Sequence, residues 1–232
     1  MKKKQIKNVF FIVGNSGSGK NKVYENMLKK LPLSLKMMIS YTTRGIRDKE
    51  IPDVDYYFIK KDLFDTLKPD FMECIDFGNK AYGYHKLEVL NNINSYNHLL
   101  FIIEPNGIEQ ILQWFKNSFD GKKLLEQYEI NFKILHIKTK KSIRLKRLLS
   151  NVLSQHDSYG KDFIKTDDII NRLQREGDSI DELLSTFLSK YKSIFSNVDY
   201  LEINNNGTEI DLREKFLKEI IKDCGEIDYK NK

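Results

Sequence analysis

The chain has little cysteine, little proline and no long hydrophobic run. Its 232 residues include two cysteines and four prolines. Cys74 and Cys224 match neither a metal-ligand spacing nor a disulfide framework, so we expect a reducing, cytoplasmic setting. No apolar stretch is long enough to cross a bilayer, and the apolar run that follows Met1–Lys4 is too short for a secretory signal. These absences argue against a disulfide scaffold and against membrane partners.

The charge balance favours anionic partners. Lys and Arg number 39 against 33 Asp and Glu, which gives a formal net charge of +6. A basic excess of this size is typical of proteins that bind nucleotides, nucleic acid or acidic surfaces, although a biased genome composition produces the same excess. The basic residues are scattered along the chain apart from Lys2–Lys4. Nucleic acid is therefore the least supported of these partners.

Short apolar segments alternate with helical patterns along the chain. Val9–Val13, Leu99–Glu104 and Phe132–Ile137 have the composition of buried strands. Alternation of this kind predicts an α/β fold built on a parallel sheet. Two polar stretches interrupt the pattern: residues 116–129 are predicted to be an excursion between elements, and residues 152–166 a mobile loop.

A glycine-rich loop follows the first strand candidate and opens a helix. It fits the pattern G-x-x-x-x-G-K with Gly14, Asn15, Ser16, Gly17, Ser18, Gly19 and Lys20. In this context the main-chain N–H groups and the helix N-terminus bind phosphate oxygens. Lys20 is expected to bridge the terminal phosphates of ATP and to offset negative charge during phosphoryl transfer.

Asn21 departs from this pattern. A Ser or Thr normally follows the lysine and offers its hydroxyl to Mg²⁺. The amide oxygen of Asn21 is also a hard ligand, so Asn21 is the candidate metal ligand, with a longer side chain and a different geometry. The loop is expected to bind phosphate whether or not Asn21 holds the metal.

A second group of residues is suited to a monophosphate. Arg44 and Arg47 can fork onto the phosphate with planar, bidentate hydrogen bonds. Tyr56 and Tyr82 can donate phenolic hydroxyls to the same group. Taken alone, the two arginines are more typical of a solvated surface hairpin, and their phosphate role depends on the neighbouring motifs.

Two further residues are suited to a purine base. An ionised Glu73 only accepts hydrogen bonds, so its carboxylate matches the N1–H and the exocyclic amino group of guanine. Ser40 has a hydroxyl that can donate to O6 of the same base.

The order of these motifs resembles the guanylate kinase family. The matching segments are the glycine loop, residues 40–47 with Glu50 and residues 55–58, residues 71–73, Gly78–Asn79 and residues 81–83. With gaps, the resemblance runs from about residue 8 to residue 222. It implies a P-loop NTPase three-layer core with a parallel sheet, a small lobe for the acceptor nucleotide and a lid. The implied single domain over residues 1–232 has its core at 1–37, 96–147 and 169–232, its lobe at 38–95 and its lid at 148–168.

The resemblance also extends to individual positions, some of which differ from the family pattern. Tyr84 stands where the family has a Ser or Thr that helps to hold the base, which implies a narrower pocket or a different base edge. Ile102 and Glu104 align with paired aspartates of the family, and only Glu104 can still serve the base or the metal. Asn204 aligns with a family position near the donor adenine.

Lid arginines are expected on the donor side. Arg147 belongs to an Arg-Leu pair, and Arg172 lies in a segment that resembles the family's helix after the lid. With Lys20 and Arg44, these two complete the implied catalytic set.

The resemblance implies an enzyme that transfers the γ-phosphate of ATP to GMP, dGMP or a closely related monophosphate. The implied partners are these nucleotides and Mg²⁺, and the implied state is a monomer or homodimer. Two alternatives stay open. Asn21 and Ile102 favour a degenerate module that binds nucleotide or protein with little catalysis, and Tyr84 favours a kinase for an unusual nucleotide.

Overall fold

The computed structural model describes residues 3–28, 34–47, 50–77, 80–159, 180–192, 194–195 and 197–206. The strands are β1 (Gln5–Val13), β2 (Leu35–Met37), β3 (Tyr41–Thr42), β4 (Tyr57–Phe58), β5 (Phe71–Phe77), β6 (Lys80–His85), β7 (His98–Ile102), β8 (Tyr128–Lys138) and β9 (Val198–Asn204). The helices are α1 (Lys20–Leu28), α2 (Lys61–Leu67), α3 (Lys86–Asn92), α4 (Pro105–Asn117), α5 (Phe119–Gln127), α6 (Lys141–Tyr159) and α7 (Ile180–Tyr191).

The larger sheet has five strands in the order β2-β7-β1-β8-β9. Strand β2 pairs with β7 in parallel, with Leu35 opposite His98. Strand β1 lies at the centre, and every residue of Val9–Val13 has a relative exposure of 0%. A central strand covered on both faces requires an unbroken apolar run of this kind. The predicted α/β fold with a P-loop core is confirmed.

The smaller sheet has four strands in the order β4-β3-β6-β5. Strand β6 pairs antiparallel with β3 and with β5. Strand β5 lies at the edge, and its register with β6 shifts between Phe71 and Glu73. The whole sheet falls within residues 38–95, the range predicted for the acceptor lobe.

The chain divides into two compact units. The first unit comprises Met1–Phe11, Leu31–Lys133 and Asn197–Asp199, and the second comprises Ile12–Lys30, Ile134–Ser196 and Tyr200–Lys232. The first unit contains the complete smaller sheet, and the second contains the glycine loop. The division into core, lobe and lid stays a prediction.

The core of the first unit is aromatic. The rings of Phe11 and Phe132 stack with centroids 6.3 Å apart, and Phe115 meets Phe132 edge-on at 5.2 Å. All three have a relative exposure of 0%. Helix α4 brings Phe115 to this cluster, and its first turn follows the end of β7. The core therefore fixes the helix that lies next to Glu73.

Two predictions about local structure were wrong. Residues 116–129 are mostly helical, because Ser118 caps α5 by accepting a hydrogen bond of 2.9 Å from the N–H of Gly121. Helix α6 runs on to Tyr159, so residues 152–159 of the predicted mobile loop are helical. The rest of that loop lies outside the described residues. Among the described helices, none has the length and apolar character that a membrane span requires.

Candidate functional site

The glycine loop of the second unit has a backbone that only glycine adopts readily. Gly17 and Gly19 have φ angles of 77° and 99°. A Cβ on Gly14 would lie 2.7 Å from both the carbonyl oxygen of Ile137 and the hydroxyl of Ser18. Alternation between left-handed and right-handed residues turns successive N–H groups toward one concave side, which is an anion-binding nest.

The carbonyl of Ser18 is held by side chains from distant parts of the chain. It accepts hydrogen bonds from Nδ2 of Asn205 at 2.6 Å and from Oγ1 of Thr139 at 3.2 Å. Asn205 is buried, and its own Oδ1 has no partner within the described ranges. Since the C=O and N–H of one peptide unit point in opposite directions, fixing this carbonyl also fixes the N–H of Gly19.

Two arginines of α6 hold the neighbouring carbonyls. Nη1 of Arg144 donates to the carbonyl of Ser16 at 3.4 Å, and Nη1 of Arg147 donates to that of Gly17 at 3.3 Å. Arg144 is buried and Arg147 is half-buried. Both guanidinium groups therefore contact the main chain of the loop. The predicted catalytic role of Arg147 stays a prediction.

Lys20 and Asn21 begin α1. The ammonium of Lys20 donates to the carbonyl of Gly14 and, at 3.4 Å, to that of Asn15. The side chain of Asn21 is exposed, and its amide oxygen is a hard ligand suited to Mg²⁺. Asn21 therefore offers one side-chain oxygen to a cation at the loop, and its role as a metal ligand stays a prediction.

Arg44, in the first unit, is preorganised by Glu50. Its Nη1 and Nη2 lie 2.7 Å and 2.6 Å from the two carboxylate oxygens, while its guanidinium carbon lies 4.7 Å above the ring of Tyr56. The side chain of Arg44 is only 3% exposed and that of Glu50 is 18% exposed. Burial opposes ionisation of Glu50, but the hydrogen bond from Arg44 holds the pKa of Glu50 below its ordinary value. Nε of Arg44 has no partner in the part of the chain that the structure describes.

Hydroxyl groups tie the segment before Arg44 to β6. Oγ1 of Thr42 donates to the carbonyl of Ala81 at 3.0 Å and accepts from the N–H of Arg44 at 3.3 Å. Oγ1 of Thr43 accepts from the N–H of Ala81 at 2.8 Å. These bonds set the path of the chain into Arg44.

The other predicted phosphate ligands lie around this arginine. Arg47 is exposed, and its main-chain N–H donates to Glu50 at 2.8 Å. The rings of Tyr56 and Tyr82 meet edge-on with centroids 6.2 Å apart. The structure therefore brings Arg44, Tyr56 and Tyr82 together, with Arg47 linked to them through Glu50.

Glu73 is a buried carboxyl group on β5. It is only 3% exposed. Burial raises the pKa of Glu73 to about 8, and the negative charge of Glu104 adds to the rise, although a hydrogen bond from the main chain of Tyr84 opposes it. Glu73 is therefore largely protonated at neutral pH, whereas the sequence argument assumed an ionised group.

Tyr84 and Ile102, two residues that depart from the family resemblance, contact each other. The hydroxyl of Tyr84 donates to the carbonyl of Ile102 at 2.9 Å, and its ring meets Phe101 edge-on at 4.9 Å. Burial raises the pKa of Tyr84, while a hydrogen bond from Ser40 lowers it. Tyr84 thus joins Ser40, the residue before β3, to the end of β7.

The remaining predicted residues lie at edges of the fold. Glu104 is exposed at the start of α4, and Asn204 is exposed at the end of β9. Arg172 lies outside the described residues. Sequence reasoning missed Thr139 and Asn205, whose roles depend on contacts with a loop more than a hundred residues away.

A polar cluster in the second unit has the residue types of a metal site. Ligand atoms of His136, Asp181 and Glu202 lie within 4.8 Å of one another. The ammonium of Lys138 lies 2.6 Å from the carboxylate of Asp181 and 2.7 Å from that of Glu202. Lys138 therefore already supplies the cation, and burial lowers the pKa of His136.

The α/β fold, the glycine nest and Lys20 together define a P-loop nucleotide-binding protein. A family model described as guanylate kinase matches residues 6–155, which include both the loop and the predicted acceptor residues. The chain belongs to the guanylate kinase family.

The chain is also similar to individual guanylate kinases. The guanylate kinase of Wigglesworthia glossinidia brevipalpis is 28% identical over 221 residues, covering 93% of this chain and 99% of that protein. That of Trichormus variabilis is 34% identical over 109 residues, covering 46% of this chain and 54% of that protein. The crystal structure of guanylate kinase from Anaplasma phagocytophilum aligns with a TM-score of 0.41 and 18% identity, over 80% of this chain and 96% of that one.

Proposed function

We propose that this chain transfers the γ-phosphoryl group of ATP to GMP, dGMP or a closely related monophosphate. The observation that carries the proposal is the buried carboxyl group of Glu73, which is 3% exposed. The ionised form of this carboxyl group recognises two adjacent N–H donors. Guanine presents such a pair at N1 and N2, so its binding favours release of the proton that Glu73 holds in the free protein. Other nucleobases offer a carboxylate a different pattern of donors.

The donor nucleotide is assigned to the second unit. The nest formed by Gly17 and Gly19 supplies N–H groups to the phosphates, and Lys20 supplies a positive charge. Oγ of Ser18 is buried without a hydrogen-bond partner in the described part of the chain, so it has a donor left for a ligand. The ammonium of Lys20 exchanges the carbonyls of Gly14 and Asn15 for phosphate oxygens when ATP binds.

The acceptor phosphate is assigned to the arginines of the first unit. Arg44 is held by Glu50 and by the ring of Tyr56, so little side-chain entropy is lost when the phosphate binds. The spare Nε of Arg44, the guanidinium of Arg47 and the phenols of Tyr56 and Tyr82 are the donors for its oxygens.

The chemistry needs no covalent intermediate. Phosphoryl transfer depends on positioning and on charge stabilisation, and the lysine and arginines supply the positive charge. Mg²⁺, which accompanies ATP in this class of reaction, would neutralise charge on the phosphates, and the amide oxygen of Asn21 is the side-chain ligand that the loop offers it. The cytoplasmic location and the state of assembly stay predictions.

The experiment is a measurement of ADP formation from ATP and Mg²⁺ with GMP, dGMP and the other nucleoside monophosphates. Lys20→Ala tests the loop, and Lys22→Ala is its matched control, because Lys22 is an exposed lysine two residues further along α1. We expect turnover with a guanine nucleotide, a loss of at least about a hundredfold in Lys20→Ala, and little change in Lys22→Ala.

Turnover with a different base alone would contradict the assignment of guanine and would favour a kinase for an unusual nucleotide. A protein that binds GMP but forms no ADP with any acceptor would be a binding module.

A further inference from the structure

Glu73 lies in an irregular part of an edge strand. The register of β5 with β6 shifts between Phe71 and Glu73, which marks a β-bulge beside this carboxyl group. A bulge leaves one residue unpaired and turns the following side chain to a new direction. Since β5 has β6 on one side only, its outward main-chain groups need partners outside the sheet.

Gln110 provides one such partner. Its Oε1 accepts a hydrogen bond of 3.0 Å from the N–H of Cys74, the residue next to Glu73. Gln110 belongs to α4, whose apolar face is anchored by buried residues such as Ile111 and Phe115. This contact therefore fixes the edge strand to a rigid helix at the position of the base-reading carboxyl group.

Gly107, one turn earlier in α4, lets the carboxyl group approach the helix. A Cβ at this position would lie 3.0 Å from Oε1 of Glu73, and 2.7 Å and 2.8 Å from two side-chain atoms of Ile103. Glycine is less favourable than alanine in a helix, so its presence here needs another reason. The close packing of Ile103 and the approach of Glu73 together provide that reason.

We propose that Gly107 and Gln110 are positioning residues that aim the carboxylate of Glu73 and thereby set the selectivity for a 2-amino purine. The inference rests on the proposed function and adds to it. Two parallel N–H···O bonds require the carboxylate to lie in the plane of the base, whereas one bond tolerates rotation. Loss of either positioning contact therefore weakens the bond to the 2-amino group of guanine.

The test compares equilibrium binding of GMP with that of inosine monophosphate, which lacks the 2-amino group. Gln110→Met removes the acceptor and keeps the length of the side chain. Gln113→Met is the matched control, since Gln113 lies on the same helix and its Oε1 accepts a hydrogen bond of 2.7 Å from Nδ2 of Asn117. We expect the preference for GMP to fall about tenfold in Gln110→Met, with ATP binding unchanged, and to persist in Gln113→Met.

A second variant tests the close approach. Gly107→Ala should displace the carboxyl group toward water, so the pKa of Glu73, measured from its ¹³C carboxyl resonance, should fall below that of the unmodified protein. An unchanged preference in Gln110→Met together with an unchanged pKa in Gly107→Ala would overturn the inference. Glu73→Gln distinguishes a failure of this inference from a failure of the proposed function. If this variant keeps the full preference for GMP, the proposed function itself fails.

Discussion

Among single residues, Glu73 shows most clearly how burial changes the pKa of a side chain. Its pKa is raised from 4.5 to about 8 because the folded protein withdraws the carboxyl group from water. Between these two values the folded state keeps a proton that the unfolded state has released. The contribution of this proton to stability is complete below about pH 4.5 and is lost as the pH rises toward 8.

Glu73→Gln should remove this loss, because glutamine stays neutral at every pH. We expect the unfolding free energy of the variant, relative to the unmodified protein, to rise by about 1.4 kcal/mol per pH unit up to about pH 8. Urea denaturation at several values between pH 6 and 8 measures this slope. Glu126→Gln, at an exposed position of α5, is the control, and an equal slope in the two variants would contradict the assignment of the proton to Glu73.

The ion pair of Arg44 and Glu50 gives a second prediction at this scale. Glu50→Gln leaves the guanidinium of Arg44 in a site where its side chain is 3% exposed. We expect a destabilisation of about 2 kcal/mol, less than for a fully buried pair because Glu50 is partly exposed. Saturating GMP should recover part of this loss, since the acceptor phosphate supplies the missing negative charge.

Thermal denaturation with and without GMP measures both effects. Asp65→Asn is the control, because it breaks the pair between Lys61 and Asp65 in which both side chains are about half exposed, at 53% and 50%. That variant should leave the melting temperature unchanged. If GMP stabilised Glu50→Gln no more than the unmodified protein, the phosphate would not be binding at Arg44.

At the scale of elements, the glycine loop depends on the strand and helix that hold its carbonyls. Asn205 follows β9 and donates to Ser18 at 2.6 Å, whereas Asn204 is exposed. Asn205→Ala should raise the Kd for ATP about tenfold by releasing the Ser18 carbonyl, with GMP binding retained. From the sequence, Asn204 is instead the residue expected near the donor adenine.

The two variants Asn204→Ala and Asn205→Ala therefore decide between the two assignments when ATP binding is measured by calorimetry. A larger effect in Asn204→Ala would support direct contact with the donor nucleotide. A larger effect in Asn205→Ala would show that Asn205 holds the loop in place through the Ser18 carbonyl. Equal binding in both variants and the unmodified protein would contradict both.

Whether a part of the site could be predicted depends on how far apart in the sequence its contacting residues lie. The loop from Gly14 to Lys20 was predicted because its function depends on neighbouring residues and on glycine at fixed offsets. Asn205 was missed because it meets Ser18 from 187 residues away, and no local pattern encodes that distance. Helix α5, by contrast, has a local signal in the sequence, since Ser118 is a typical N-cap residue.

At the scale of the whole molecule, the residues proposed to bind the two nucleotides belong to different units. The glycine loop and Lys20 lie in the second unit, and Arg44 and Glu73 lie in the first. Each group is built from contacts inside its own unit. We therefore expect variants in one unit to impair the binding of one nucleotide and to spare the binding of the other.

Ligand-induced stabilisation tests this separation in the intact chain. A nucleotide that binds only the folded state at a hundred times its Kd adds about 2.7 kcal/mol to stability. Lys20→Ala should lose the increment from ATP and keep that from GMP, and Glu73→Gln should show the reverse. Lys22→Ala should keep both. If Lys20→Ala instead lost the increment from GMP, the two nucleotides would not be bound by separate sets of residues, and the assignment of donor and acceptor to the two units would be wrong.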